Sequence, residues 1–172
     1  MGFPNRKRNR LKDYDYSSGG YYFVTICIKE RPDFFGKIKS GEMILNEFGK
    51  IVSSAWLDIP NHYFNCELDY FVIMPDHVHG IIIIDNTLKK RGKSVNYSLS
   101  EIIRGFKTFS SKRINEKLNI GTKFRWQKSF YDRIIRDENE LYFIRNYIQL
   151  NPLKWDIEKK PSREFVHVGN SP

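Results

Sequence analysis

Apolar positions along the chain follow two periods, and the switches between them mark out the elements. After the turn signal Ser17-Ser18-Gly19-Gly20, residues 21–29 are rich in β-branched and aromatic side chains, which predicts a strand. Residues 34–38 and 42–45, joined through Ser40-Gly41, predict a small hairpin. Over 47–58 the period becomes helical: Phe48, Ile51, Val52, Ala55 and Trp56 form one stripe, with Asn46 placed to cap it and Pro60 to end it. Two strands follow at 68–74 and 77–84, then a polar, basic stretch over 86–96 that predicts a loop. Ile102, Ile103, Phe106, Phe109 and Ile114 return to helical spacing, so a helix starts from a Ser98 or Ser100 cap and runs to Leu118. Strand is predicted at 124–126 and 130–135. A last helix covers 137–151, opened by the Asp137 and Glu140 pair and closed by Pro152, which cannot continue the hydrogen-bond ladder.

The order β-α-β-β-α-β followed by a further helix is that of a ferredoxin-like α+β sandwich, an antiparallel sheet with helices on one face. A chain of 172 residues with 40% hydrophobic content suits one domain with a real core. Residues 1–18 are expected to be a flexible basic arm carrying Arg6, Lys7, Arg8, Arg10 and Lys12, and 159–172 a tail.

Charge narrows the partners. Lys and Arg number 29 against 20 Asp and Glu, a net charge of +9 and a pI near 9.5, which favours nucleic acid over other partners. A membrane is not supported, because the longest apolar stretch, 71–84, is interrupted by Pro75, Asp76 and two histidines. The basic start leads into Asp13, Tyr14 and Asp15 rather than an apolar signal core, so a cytoplasmic protein is expected. Cys27 and Cys66 have no C-x-x-C spacing and read as reduced thiols.

The candidate chemistry centres on Met74-Pro75-Asp76-His77-Val78-His79-Gly80. Strand side chains alternate faces, so His77 and His79 point the same way and Val78 the other, while Pro75-Asp76 can turn the flanking runs into a hairpin. Two imidazoles make an incomplete metal site. Without a third ligand they are equally two polar side chains on a solvated strand. In the last helix Tyr147 and Asn151 are four apart and share a face. A tyrosine hydroxyl can attack a phosphodiester, and two imidazoles with an amide oxygen suit Mg²⁺ or Mn²⁺. Taken singly, Tyr147 is an amphipathic helix residue and Asn151 a polar group at a helix end. Tyr131, on a predicted strand, is a second candidate tyrosine whose alternative role is packing or base stacking.

The combination of Phe71-Val72-Ile73-Met74-Pro75-Asp76-His77-Val78-His79-Gly80 with Trp126-Gln127, Asp132, Ile135-Arg136, Tyr147-Ile148 and Asn151-Pro152 resembles the REP-associated tyrosine transposases and the single-tyrosine transposases of small insertion sequences. The resemblance implies a catalytic domain over 19–158 and the ferredoxin-like fold, with the C-terminal helix carrying the tyrosine. It implies His77, His79 and Asn151 as ligands of Mg²⁺ or Mn²⁺, and Tyr147 as the nucleophile. The implied substrate is single-stranded DNA at imperfect hairpins, cut to a 5′-phosphotyrosine and a free 3′-hydroxyl by a monomer or homodimer. Arg6, Lys7, Arg8, Arg10, Arg104, Lys107, Lys112 and Arg133 are the expected DNA contacts, acting through phosphates. Two other readings remain open at this point: a catalytically silent nucleic-acid-binding module of the same fold, and a replication or conjugation nicking enzyme.

Overall fold

The computed structural model describes residues 15–29, 33–88, 96–118 and 121–159. Strand β1 (Gly20–Cys27) lies inside a four-stranded antiparallel sheet of order β4-β5-β1-β6, where β4 is Cys66–Ile73, β5 is His77–Ile84 and β6 is Tyr131–Ile135. The appended hairpin pairs β2 (Gly36–Lys39) with β3 (Glu42–Leu45). The helices are α1 (Glu47–Leu57), a short α2 (Ile59–His62), α3 (Leu99–Lys117) and α4 (Glu138–Lys159). This is the expected α+β architecture, with the crossovers that put β1 between β5 and β6. Among the described residues, no helix is long and apolar enough to cross a membrane.

Alternation along the central strands divides the core in two. Tyr22, Val24 and Ile26 of β1 and Val78, Ile82 and Ile84 of β5 face α1 and α3, where Trp56 and Phe106 meet edge to face with ring centroids 5.2 Å apart. Phe23, Ile81 and Ile135 face the other way and bury Leu141, Ile144 and Ile148 of α4. The expected pair of helices therefore covers one face, and the tyrosine-bearing helix closes the opposite one.

The helix starts are those expected from their capping residues. Asn46 Oδ1 accepts from Gly49 N at 2.9 Å, and Ser98, not Ser100, forms a complete capping box with Glu101. Asp137 Oδ1 accepts from Glu140 N at 2.8 Å.

Several boundaries differ from expectation. Strand β1 stops at Cys27, and β4 begins at Cys66 with a register shift between Leu68 and Phe71. Pro60 does not simply end α1: it sits in the first turn of α2, where its missing N–H has no helical partner to lose. The segment 124–126 is no strand. It touches the sheet through one bridge, Ile28 to Trp126, and is otherwise tied to α3: Asn115 pairs with both backbone groups of Phe124, and Trp126 Nε1 donates to Ser110 Oγ at 2.9 Å. Pro152 does not close α4, which runs on to Lys159. Contacts beyond the proline hold these turns: Leu153 lies over Gly41, whose φ of +79° admits no side chain comfortably, and the Trp155 ring lies beside His77. Tertiary packing offsets the lost hydrogen bond. The expected arm residues Arg6, Lys7, Arg8 and Arg10 and the tail from 160 lie outside the described residues.

Candidate active site

The turn between β4 and β5 is fixed from three sides. Ile73 pairs with Val78 and Met74 N donates to His77 O at 2.8 Å, so Pro75 and Asp76 form the tip. Their carbonyls accept from Phe35 N at 2.9 Å and Ile28 N at 3.0 Å, which ties the tip to the end of β1 and the approach to β2. The first residues of β5 thus have little freedom.

From this strand start His77 and His79 both project towards α4 and Val78 into the opposite core, as period two requires. Their ring centroids are 4.5 Å apart and their Nε2 atoms 3.0 Å apart. Each Nδ1 has a partner of its own. That of His77 meets Asp76 Oδ1 at 2.6 Å, and that of His79 meets Thr25 Oγ1, from the paired residue on β1, at 2.8 Å. Asp76 can only accept when ionised, so the His77 Nδ1–H donates to it. Thr25 can donate or accept. The neutral His79 ring can therefore exchange tautomers without losing this hydrogen bond, turning its own Nε2 from donor into acceptor. Burial, with the neighbouring His77 adding to it and Asp76 opposing it, pushes the His79 pKa down to about 3, so this ring is neutral.

Helix α4 supplies the other half. Tyr147 Oη lies 3.4 Å from His79 Nε2, and its ring meets the face of Phe23 edge-on at 6.0 Å, while Phe23 stacks on His79 at 5.4 Å. Phe23 separates the two functional rings from the apolar contact between α4 and the sheet. Tyr147 is 43% exposed and Asn151, one turn on, is buried at 8%. Both line a pocket of about 210 Å³ with His77, His79, Lys154, Trp155 and Glu158. Among the described residues no third His, Cys, Asp or Glu joins the histidines as a ligand cluster. Asn151, the third donor that the expectation named, lines the same pocket.

Tyr131 lies on β6 and also touches Phe23, at 6.4 Å, but it does not line this pocket. The four residues that sequence spacing singled out, His77, His79, Tyr147 and Asn151, do come together. Lys154, Trp155 and Glu158 were missed, because a helix ending at Pro152 cannot present them.

The expected DNA contacts are dispersed. Arg104 and Lys112 are exposed on α3. Arg133, on β6, forms an ion pair with Glu140. Lys107 Nζ donates to Gln127 O and Ser129 O, each at 3.0 Å, and burial lowers its pKa to about 8. It forms the floor of a groove of about 930 Å³, whose other cationic side chains, Lys29, Lys123, Arg125 and Lys128, were not anticipated. The alternating run Lys123-Phe124-Arg125-Trp126 carried that signal, with buried aromatics between exposed cations.

Residues 17–151 match the family model described as IS200-like transposase. The chain belongs to the IS200-like transposase family. An uncharacterised protein of Haemophilus influenzae is 36% identical over 174 residues, 92% of this chain and 94% of that protein. A second protein of that organism, provisionally named a REP-associated tyrosine transposase, is 24% identical over 140 residues, 81% of this chain and 74% of its own length. The solved structure of a REP-associated tyrosine transposase bound to a REP hairpin is similar to this transposase at a TM-score of 0.59 and 19% identity, over 85% of this chain and 74% of that one, which establishes a shared fold.

Proposed function

We propose that this transposase cleaves and rejoins single-stranded DNA at hairpins of palindromic repeats, with Tyr147 as the nucleophile. The observation that carries the reading is the convergence on His79 Nε2 of Tyr147 Oη, at 3.4 Å, and His77 Nε2, at 3.0 Å, around one pocket of a chain of net charge +9. The named hairpin ligand of the structural neighbour supports the choice of DNA form.

The donor set fits a divalent cation. Two imidazoles turn their Nε2 atoms to one another, each oriented from behind through Nδ1 by Asp76 or Thr25, and the buried Asn151 amide lines the same pocket. His77, His79 and Asn151 would hold Mg²⁺ or Mn²⁺, which when bound supplies polarisation of a non-bridging oxygen of the scissile phosphate. Tyr147 Oη gives up its proton and attacks phosphorus, the P–O3′ bond breaks, and the departing O3′ takes up one proton to become a free 3′-hydroxyl, so that one proton passes in all from tyrosine to leaving group. The 5′ end remains on Tyr147 as a phosphodiester, conserving the bond energy for rejoining by a 3′-hydroxyl without ATP.

Labelled hairpin DNA with single-stranded flanks, incubated with the protein and Mn²⁺, is expected to give a covalent adduct stable to denaturation. Tyr147→Phe abolishes it and retains DNA binding, Tyr131→Phe keeps it, and His77→Ala or His79→Ala abolishes cleavage. An adduct that survives in Tyr147→Phe but not in Tyr131→Phe overturns the assignment.

A further inference from the structure

Helix α4 continues about two turns beyond Pro152, and the extension brings to the pocket side chains that the proposed reaction does not use. Tyr147, Asn151, Lys154, Trp155 and Glu158 recur at helical spacing, and all five line the pocket with the histidines. Trp155 is half-buried, its ring centroid 5.8 Å from that of His77 and tilted by 48°. On its other side it borders a second hollow of about 200 Å³, with Asp33, Lys37, Ile38, Pro75 and Asp156. The indole is a wall between two spaces. Lys154 reaches Glu158 at 3.7 Å across one turn, with the side chains 63% and 64% exposed. Such a pair contributes little, so the ammonium is available to a stronger anion while Glu158 turns to solvent.

We propose that Trp155 and Lys154 form a nucleotide subsite beside the scissile phosphate, in which a base stacks on the indole and that nucleotide's phosphate meets the Lys154 ammonium. The inference rests on the reading that Tyr147 attacks DNA. A phosphodiester placed against Tyr147 Oη carries a nucleotide on either side, and along α4 the next groups it meets are a cation and an aromatic face. Proteins hold single strands by that pairing. The base lies on the His77 side of the wall, the side on which Lys154 and Tyr147 line the same pocket. Every base has a π-face, so the subsite fixes the strand's position and leaves sequence choice to other contacts.

The test is a binding cycle in Tyr147→Phe protein, which leaves the DNA intact. The probes are hairpin DNA with single-stranded flanks and the same DNA carrying one abasic site at each flank position in turn. Trp155→Ala is expected to weaken intact DNA by roughly 5- to 150-fold, the range of one lost base stack, and Trp155→Phe to recover most of it. One abasic position weakens binding to the Trp155 protein equally and to Trp155→Ala no further. Losses that multiply at every position overturn the subsite. A second measurement needs no alanine variant: Trp56 and Trp126 are buried, so a thymidine oligonucleotide is expected to quench emission in the otherwise wild-type chain and not in Trp155→Phe. Absence of that difference overturns the proposal. For Lys154→Gln the salt slope is expected to flatten by about 0.7, and an unchanged slope removes Lys154. Adduct formation by the wild-type chain is scored separately. An adduct with multiplying losses sinks the subsite alone, and non-multiplying losses without any adduct sink the Tyr147 reading alone.

Discussion

Arg145 and Asp69 lock the tyrosine helix onto the edge of the sheet. Arg145 Nε and a terminal nitrogen both donate to Asp69 Oδ2, at 3.0 and 2.6 Å, and the guanidinium lies 5.5 Å from the centre of the Tyr70 ring. Asp69 and Tyr70 fall in the register shift of β4, between the Leu68 and Phe71 pairings, where the irregular backbone turns the carboxylate towards α4. Its side chain is only 8% exposed. Arg145 is two residues before Tyr147, so this grip and the Leu141, Ile144 and Ile148 contacts together set the height of the tyrosine over His79.

Arg145→Ala leaves the Asp69 carboxylate without its guanidinium and is expected to cost about 1–3 kcal/mol in urea unfolding. The adduct should also form at least roughly tenfold more slowly, a loss of about 1.4 kcal/mol in the barrier. Arg145→Lys recovers part of each, because a point charge cannot reproduce two donors in a fixed fork. An unchanged adduct rate in the alanine variant removes the latch from the mechanism.

Asn151→Ala is expected to reduce cleavage more at low Mn²⁺ than at high, since a neutral amide oxygen is a weak ligand that water replaces. The measurement is adduct yield across a metal titration. Identical titration midpoints in variant and parent would take Asn151 out of the ligand set.

Gly80 has no room for a side chain. A Cβ there would sit 2.3 Å from the Trp56 ring, which is fully buried. Gly80→Ala is expected to destabilise the fold by about 1–3 kcal/mol, read as a lower thermal midpoint, and to weaken cleavage because the strained strand carries His79. Unaltered stability would show that the Trp56 contact yields easily.

Burial pushes the Cys66 thiol up to about 12, with Glu67 adding to the shift. In the unfolded chain the thiol ionises near 9, so between these values the native state holds a proton that the unfolded state has lost, and stability falls as pH rises. The stability advantage of wild type over Cys66→Ala should be constant below pH 9 and shrink above it. A difference independent of pH to the alkaline limit contradicts this.

The basic groove gives a prediction about salt. Alanine at Lys123, Arg125 or Lys128 should each flatten the salt dependence of hairpin binding by about 0.7 to 0.9, one released counterion per phosphate contact. Equal slopes in all three variants and the parent would assign phosphate binding elsewhere, with Arg104, Lys112 and the arm the next surfaces to test. Deletion of residues 1–12 separates the arm's share.

Local rules were enough to place much of this protein. Period two put His77 and His79 on one side of a strand, helical spacing put Tyr147 and Asn151 on one side of a helix, and the Asn46, Ser98 and Asp137 caps set three helix starts, because each depends only on neighbours in sequence. The run of elements also carried the sandwich topology. Which face of the sheet α4 would close was not legible in any local pattern. It follows from Phe23, Ile81 and Ile135 meeting Leu141, Ile144 and Ile148 across distant parts of the chain. The same holds for the fate of Pro152 and of 124–126. A proline rule describes an isolated helix, but Leu153 on Gly41 and Trp155 beside His77 hold the helix past it. Residues 124–126 meet the sheet only at the Ile28 bridge because Asn115 of α3 takes both backbone polar groups of Phe124 and Ser110 takes the Trp126 indole N–H. Which side chains share a face is a matter of neighbours along the chain. Which faces meet is settled in three dimensions, because burial free energy belongs to pairs of surfaces brought together by the fold.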